Sequence, residues 1–438
     1  MMQTEIVDVD AWEVLDSRGR PTVACRIRLG DGSVGVATVP SGESTGRHEA
    51  HELRDGGERY GGLGVQGAVA NVRSELTAAV VGLDAGDQRA VDVRLRATDG
   101  TPNLARLGAN AVLSVSLACA VASAQSRRAP LWQVIGSAPR LPLPMVNIIS
   151  GGAHASNMID IQDLLVVPVG AASFAEAIEW AGRVRSATAK VADAEGIASA
   201  LVADEGGIAA RLTSNRAAVE LLARGVEASG LRLGDQIGIA IDVAATHMLS
   251  PDGRYRLTAE DRMLDAQELV DEIESWCAAL PILSVEDVVA EDDWAGWEYA
   301  SERLGHIQLL GDDLFATQLN RLDEGRTRGV ANAVLVKVNQ NGTLTGGLDV
   351  VARAREIGYA PVVSARSGET EDTWLADVAV GSQAGQIKVG STVRSERNAK
   401  WNRLLRIERE IGGFGDVPYA GSAALGPRAQ ARTALSEL

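Results

Sequence analysis

The sequence is poor in cysteine, lacks long apolar runs and carries less positive than negative charge. Its three cysteines, Cys25, Cys119 and Cys277, are far apart and lack metal-ligand spacing. They fit free thiols in a reducing cytoplasm, where we expect the protein to reside. No uninterrupted apolar segment reaches the roughly 18 residues of a membrane span, and residues 1–5 lack the features of a secretion signal. The formal net charge of -16 argues against nucleic acid and anionic membranes as partners.

Lysine is also scarce. Among 42 Lys+Arg residues only four are lysine, at positions 190, 337, 388 and 400. Unlike arginine, a lysine amine can lose its proton once burial and neighbouring cations lower its pKa. Lys337 follows the apolar run 333–336, and Lys388 ends another within 385–390. Two of the four lysines thus stand at equivalent strand ends, which suggests chemistry; the alternative is an ordinary side chain reaching water from a strand end.

The chain is long enough for a barrel of about 250 residues with a smaller partner domain. Residues 61–136 are rich in Ala, Leu, Val and Arg at helical spacing, and the proline-punctuated segment 138–144 is the best domain boundary. We therefore predict an α+β domain at 1–137 and a catalytic α/β barrel at 138–438. Three strand-like runs predict a β-meander in the first domain: residues 5–9, 22–29 and 34–39.

In the second domain, apolar runs repeatedly end in a polar residue and are followed by helix-length segments. Successive ends between 286 and 388 are 23 to 28 residues apart, which is the length of a βα unit. In a parallel barrel the carboxyl ends of the strands converge on one mouth. We therefore expect five side chains to meet there: Asp242, Glu286, Asp312, Lys337 and Lys388.

Converging carboxylates favour a hard cation such as Mg²⁺, and there is no His/Cys cluster to suggest zinc. A divalent ion depresses the pKa of a nearby amine. It also stabilises the enolate formed when that amine removes a proton alpha to a carboxylate.

Longer motifs extend over nearly the whole chain, and through them the sequence resembles the enolase family. They are DSRGRPTV at 16–23, SGESTG at 41–46, LGANAVLSVSLA at 107–118, DEGG at 204–207, SVEDVVAEDDW at 284–294, GDDL at 311–314, KVNQNGTL at 337–344, ARSGETEDT at 365–373 and GQIKVG at 385–390. The resemblance implies an α+β N-terminal domain on an enolase-type ββαα(βα)₆ TIM-like barrel. It also implies two Mg²⁺ ions per active site: Asp242, Glu286 and Asp312 would hold the first, and Ser44 the second once substrate binds.

The resemblance also implies catalytic roles. Lys337 matches the base that takes the proton at C2, and Glu205 matches the acid that assists departure of the C3 hydroxyl. Lys388 matches the cation that contacts the substrate carboxylate, while Arg366 and Ser367 match the phosphate clamp. The substrate would be a small phosphorylated three-carbon acid.

The same resemblance matches His154 to a substrate-side histidine and Gln162 to a site glutamine. Departures begin beside them. Asp163 stands where the family has a catalytic glutamate, a carboxylate retracted by one methylene, and a misplacement of about 1 Å can cost roughly a hundredfold in rate. Ala365 replaces a histidine before the Arg-Ser clamp, and Glu43 replaces an alanine next to the second-metal serine.

Two further departures lie at Ser150 and Ala24. Ser150 stands in place of an asparagine. Ala24 replaces a glutamate that in the family pairs with the arginine matching Arg406 across a dimer interface. Because family members are usually dimers or octamers, we nevertheless expect a homodimer or octamer.

These features leave three hypotheses. The first is a specialised paralogue of secondary metabolism that resembles carboxyphosphonoenolpyruvate synthase and joins a CMP-activated phosphonoformate to a phospho-acid. The second is ordinary enolase, which interconverts 2-phosphoglycerate and phosphoenolpyruvate. The third is a catalytically silent scaffold or binding protein, although neither the base nor a metal ligand is lost.

Overall fold

The computed structural model describes residues 4–43, 46–413 and 417–426. Its N-terminal domain contains an antiparallel meander of β1 (Ile6–Leu15), β2 (Pro21–Leu29) and β3 (Val34–Thr38). The predicted meander is confirmed, but β1 is longer than the predicted run because pairing with β2 continues to Leu15. Five α-helices follow: α1 (Gln66–Asn71), α2 (Thr77–Val80), α3 (Gln88–Asp99), α4 (Ala109–Ser126) and α5 (Leu131–Ile135).

Helix α4 is the centre of this domain. It is apolar on all sides, as is typical of a buried helix. By length and composition alone it could cross a membrane, but 83% of the 18-residue window that meets this test is buried inside the protein. The approach to β3 is very close, because a Cβ at Gly35 would lie 2.2 Å from the Ala122 nitrogen. Packing in the core therefore accounts for the apolar character of α4.

The second domain is a closed eight-stranded barrel in which the last strand, Gln386–Gly390, pairs with the first, Leu143–Ser150. The second strand, Asp163–Val167, runs antiparallel to both of its neighbours, and the remaining pairs are parallel. The barrel strands are β4 (Leu143–Ser150), β5 (Asp163–Val167), β7 (Gly238–Asp242), β10 (Ile282–Glu286), β11 (Gln308–Gly311), β12 (Ala333–Val336), β13 (Ala360–Ser364) and β14 (Gln386–Gly390). A short strand, β6 (Ile208–Ala209), adds to β4, and β8 (Tyr255–Leu257) pairs with β9 (Arg262–Leu264) in a separate hairpin.

Helices surround the barrel in the order that the resemblance implies. Two follow the first two strands, and each of the last six barrel strands is followed by at least one, which gives ββαα(βα)₆ and confirms the predicted fold class. They are α6 (Phe174–Ala194), α7 (Asn215–Ala228), α8 (Ala266–Ala279), α9 (Trp294–Leu304), α10 (Leu319–Arg328), α11 (Val338–Asn341), α12 (Leu344–Glu356), α13 (Trp374–Gly381) and α14 (Ser395–Gly412).

The strand register places the candidate residues at one level of the barrel. Asp242 lies opposite both Asp163 and Glu286, and Lys388 lies opposite Ser364. Below that level a separate apolar cluster, which includes Leu165, Leu283 and Leu335, fills the barrel interior. The site can therefore open only toward the carboxyl ends of the parallel strands.

One positional prediction was wrong in detail. Lys388 is the third of five residues in β14 and does not end the strand, because pairing with β4 continues to Gly390. Lys337, by contrast, directly follows β12, as predicted.

Candidate active site

A cavity opens at the predicted mouth. Six carboxylates line it, against three lysine and arginine side chains, so the cavity wall is predominantly acidic. The lining residues are His154, Gln162, Asp163, Glu205, Asp242, Ala244, His247, Asp287, Asp312, Asp313, Lys337, Ser364, Ala365, Arg366, Ser367 and Lys388. The structure thus brings together the predicted residues of both halves of the barrel.

Lys388 lies between two of the predicted metal ligands. Its Nζ donates to Asp242 Oδ2 at 2.6 Å and to both oxygens of Glu286 at 2.8 Å. Burial opposes the charged amine, but the two carboxylates outweigh it and raise the pKa of Lys388 well above its usual value. Burial and the charge of Asp242 also raise the pKa of Glu286. One cation is therefore shared by two carboxylates, which leaves excess negative charge.

Lys337 contacts the third predicted ligand, Asp312, through its Nζ. The other Asp312 oxygen accepts a hydrogen bond of 3.0 Å from Gln340 Nε2. The position of Lys337 at a strand end predicts that burial and nearby cations lower its pKa. In the structure burial does act in that direction, but Asp312 outweighs it and raises the pKa. An amine in this contact holds its proton.

The predicted phosphate clamp is held by the N-terminal domain. Arg366 donates to both carboxylate oxygens of Glu49, at 2.7 and 3.3 Å. The Ser367 hydroxyl accepts a hydrogen bond of 2.8 Å from the Glu43 backbone nitrogen. Glu43 does not add free negative charge there, because its carboxylate contacts the guanidinium groups of Arg18 and Arg20.

Asp163 is the first residue of β5. Because that strand is antiparallel, its amino end, and not its carboxyl end, lies at the mouth. One carboxylate oxygen accepts hydrogen bonds from Asn147 and, at 2.8 Å, from the Ser150 hydroxyl. The other lies 3.1 Å from His154 Nδ1. Burial raises the pKa of Asp163, and the charge of His154 opposes that rise.

Glu205 lies in the loop before β6, on the His154 side of the cavity. Within the described residues no hydrogen bond to its carboxylate is observed, and only 7% of the residue surface is exposed. Burial raises its pKa, but His154, Arg397 and Lys388 outweigh burial and lower it. A buried carboxylate with an uncommitted acceptor face is suited to contact a ligand.

The donor set fits a divalent cation. Oxygen ligands in an acidic, buried cavity are those that Mg²⁺ prefers. The predicted triad of Asp242, Glu286 and Asp312 does not form one compact group, because two lysine amines lie among the three carboxylates. The groups whose ligand atoms lie within 4.8 Å of one another in the described chain are His154–Asp163–Glu205 and Asp287–Asp312–Asp313. Ser44, the predicted ligand of the second ion, lies outside the described residues.

Several functional contacts were missed at the sequence level. Glu49 lies within an irregular loop of the other domain, and no periodic pattern indicates that it faces Arg366. Asp287 and Asp313 directly follow predicted ligands, so the doublets Glu-Asp and Asp-Asp were the available signal. Asp287 accepts from the backbone nitrogens of both Asp312 and Asp313, at 3.0 and 2.8 Å. It therefore shapes the loop that carries Asp312.

Two family models match the chain. Residues 6–135 match the enolase N-terminal domain, and residues 138–427 match the enolase C-terminal TIM barrel domain. Together with the ββαα(βα)₆ barrel and the acidic cavity at its mouth, these matches show a lyase-type enzyme fold. The chain belongs to the enolase family.

Proposed function

We propose that the protein is a Mg²⁺-dependent enzyme that removes a proton alpha to the carboxylate of a phosphorylated three-carbon acid. The observation that carries this proposal is the shared cavity: the Lys337 amine, the Glu205 carboxylate and the Arg366 guanidinium all line it. A base, an acid and an anion-binding group are the parts that proton abstraction with loss of a C3 substituent requires.

Each side chain has a distinct task in this proposal. Lys337 takes the proton from C2, and Glu205 gives a proton to the group that departs from C3. Lys388 neutralises the substrate carboxylate. Arg366 and Ser367 bind the phosphate, with His154 and Gln162 on the substrate side.

Asp242, Glu286 and Asp312 would hold one Mg²⁺ and Ser44 would help to hold the second. Bound Mg²⁺ supplies positive charge that stabilises the anion left by proton removal. Lys337 can act as a base only where another cation takes up the charge of Asp312, since their present contact favours the protonated amine. A ligand role for Asp312 meets that requirement.

The departures favour a specialised paralogue, similar to carboxyphosphonoenolpyruvate synthase, over ordinary enolase. Asp163 hydrogen-bonds to the barrel wall, and Ala365 lines the cavity with only a methyl group. A CMP-activated phosphonoformate is the second substrate that this reading implies. Ordinary enolase is the second candidate, supported by the retained Lys337 and Glu205.

Turnover of 2-phosphoglycerate, followed by ultraviolet absorbance of the enol product, separates the two candidates. The specialised reading predicts near-zero turnover that recovers in the double variant Asp163→Glu, Ala365→His. Turnover comparable to a glycolytic enzyme would instead establish ordinary enolase. A silent binding protein would show no turnover and no rise in melting temperature with Mg²⁺ and a phospho-acid.

A further inference from the structure

A buried hydrogen-bond chain leads from the barrel wall to the cavity. Asn147 donates to the Ser150 hydroxyl at 2.9 Å, and both residues donate to the same oxygen of Asp163. The second Asp163 oxygen faces His154 Nδ1 at 3.1 Å. Asn147, Ser150 and Asp163 are at most 1% exposed, so water cannot substitute for these contacts.

The two carboxylates beside His154 are in different situations. One oxygen of Asp163 accepts hydrogen bonds from Asn147 and Ser150, and the other faces the imidazole of His154. In the described part of the chain, no hydrogen bond to the Glu205 carboxylate is observed. Asp163 is also one methylene shorter than the glutamate of the family. Glu205 is therefore available to a substrate, whereas Asp163 is committed to His154.

Ser150 also sets the position of the Glu205 loop. Strand β6 pairs with the end of β4, so that Ala209 lies opposite Ser150. A Cβ at Gly207 would lie 2.3 Å from the Ser150 hydroxyl oxygen and 2.8 Å from Asn147 Oδ1. Only glycine allows this approach without displacement. Asp163 and the loop that carries Glu205 are thus placed against the same pair of side chains.

We propose that Asp163 is a positioning residue that acts through His154, and that Ser150 and Asn147 hold its carboxylate in the orientation that fixes the imidazole. His154 then donates Nδ1–H to Asp163 and turns Nε2 to the substrate side of the cavity, since a carboxylate on one ring nitrogen fixes the proton there and the orientation of the ring. This assignment rests on the proposed function and deepens it: Glu205 and His154 contact the substrate, and Asp163 acts only through His154.

The charge distribution agrees with this geometry. Burial lowers the pKa of His154, but Asp163, Glu205 and Asp242 outweigh burial and raise it to about 9. The imidazole is consequently held as a cation at neutral pH.

A double-mutant cycle tests the assignment. His154→Gln should lower kcat about a hundredfold, and Asp163→Asn by a similar factor, with KM changed less than about threefold. If Asp163 acts through His154, the double variant should be no slower than His154→Gln. If the loss of kcat in the double variant equals the product of the two single losses, Asp163 acts on the substrate directly and the proposal is overturned. Ser150→Ala should lower kcat about tenfold and cause no further loss in the His154→Gln background.

A second measurement does not depend on turnover. The ¹⁵N NMR signal of His154, assigned by its loss in His154→Gln, should show an imidazolium at neutral pH. Asp163→Asn should lower the pH at which this signal changes, because Asp163 contributes to the raised pKa of His154 through both its charge and its hydrogen bond. Ser114→Ala is the matched control for Ser150→Ala, because Ser114 is an equally buried serine in α4 that donates to the Ala111 carbonyl at 2.8 Å. An unchanged pH dependence of the signal in Asp163→Asn would overturn the proposal. Absent turnover of the wild-type protein both with 2-phosphoglycerate and with a phospho-acid plus a CMP-activated phosphonoformate would contradict only the proposed function.

Discussion

Glu49 accepts two hydrogen bonds from Arg366, so a carboxylate of the N-terminal domain lies on the guanidinium that we assign to substrate phosphate. Both side chains are almost completely buried. The contact joins the two domains at the cavity and supplies Arg366 with an anion before any phosphate binds.

Replacing that anion should alter both stability and phosphate binding. Glu49→Gln removes the negative charge and should destabilise the protein by about 2 kcal/mol. Inorganic phosphate should then raise the melting temperature more than it does in wild-type protein, because the Glu49 carboxylate no longer competes with phosphate for Arg366. Glu75→Gln, which changes an exposed pair with Arg106, is the control. An equal or smaller response to phosphate in Glu49→Gln would contradict the assignment of Arg366.

His154 should make stability depend on pH. Its pKa is raised from 6.5 to about 9, so its protonation contributes stability that is fully present below pH 6.5. That contribution is lost as pH rises through 9, and its size is on the order of 3 kcal/mol. Chemical denaturation of wild-type protein and His154→Gln across this range should show the difference between them shrinking with pH. A difference that stays constant would exclude a raised pKa.

Lys400 should stabilise the clamp loop. This buried amine donates to the Thr370 carbonyl at 2.5 Å and pairs with Glu369 at 2.9 Å. Glu369 in turn accepts from the Arg366 backbone nitrogen at 3.1 Å. Lys400→Met leaves Glu369 without this buried partner and should destabilise the protein by about 3–5 kcal/mol in urea denaturation.

The matched control is the exposed lysine of α6. Lys190→Met should change the free energy of unfolding by less than about 0.5 kcal/mol. Similar effects of the two substitutions would show that the Lys400 contacts do not hold the clamp loop.

Mg²⁺ should stabilise the folded protein through the acidic wall of the cavity. At a concentration one hundred times its Kd, one bound ion contributes about 2.7 kcal/mol, which a chelator should reverse. Glu286→Gln should greatly reduce the Mg²⁺-dependent rise in melting temperature, whereas Glu75→Gln should leave it unchanged. If both variants keep the full Mg²⁺-dependent rise in melting temperature, the ion binds elsewhere.

The barrel was predictable because several of its polar groups follow or end apolar runs, and the ends of these runs recur at a regular spacing between 286 and 388. Asp242, Glu286 and Lys337 lie at the mouth for that reason. The position of Asp163 required the family resemblance, because β5 is antiparallel and its site residue begins the strand. The lack of a charged face on α4 likewise predicts burial but not the strand that covers it.

The contacts within the site could not be read from the sequence. Which carboxylate pairs with which lysine depends on distances of a few ångströms between separate strands. Ser150 is recognisable as a departure, yet only the structure shows that it donates to Asp163, a second departure. Glu49 is separated from Arg366 by 317 positions, so only the packing of the domains brings them together.

The central claim is that the Lys337 amine removes the alpha proton, and solvent deuterium exchange at the alpha carbon of the substrate tests it most directly. The wild-type protein with Mg²⁺ should catalyse this exchange, and Lys337→Ala should slow it at least about a hundredfold, with Lys190→Ala as the control. Exchange that continues undiminished in Lys337→Ala would contradict the account.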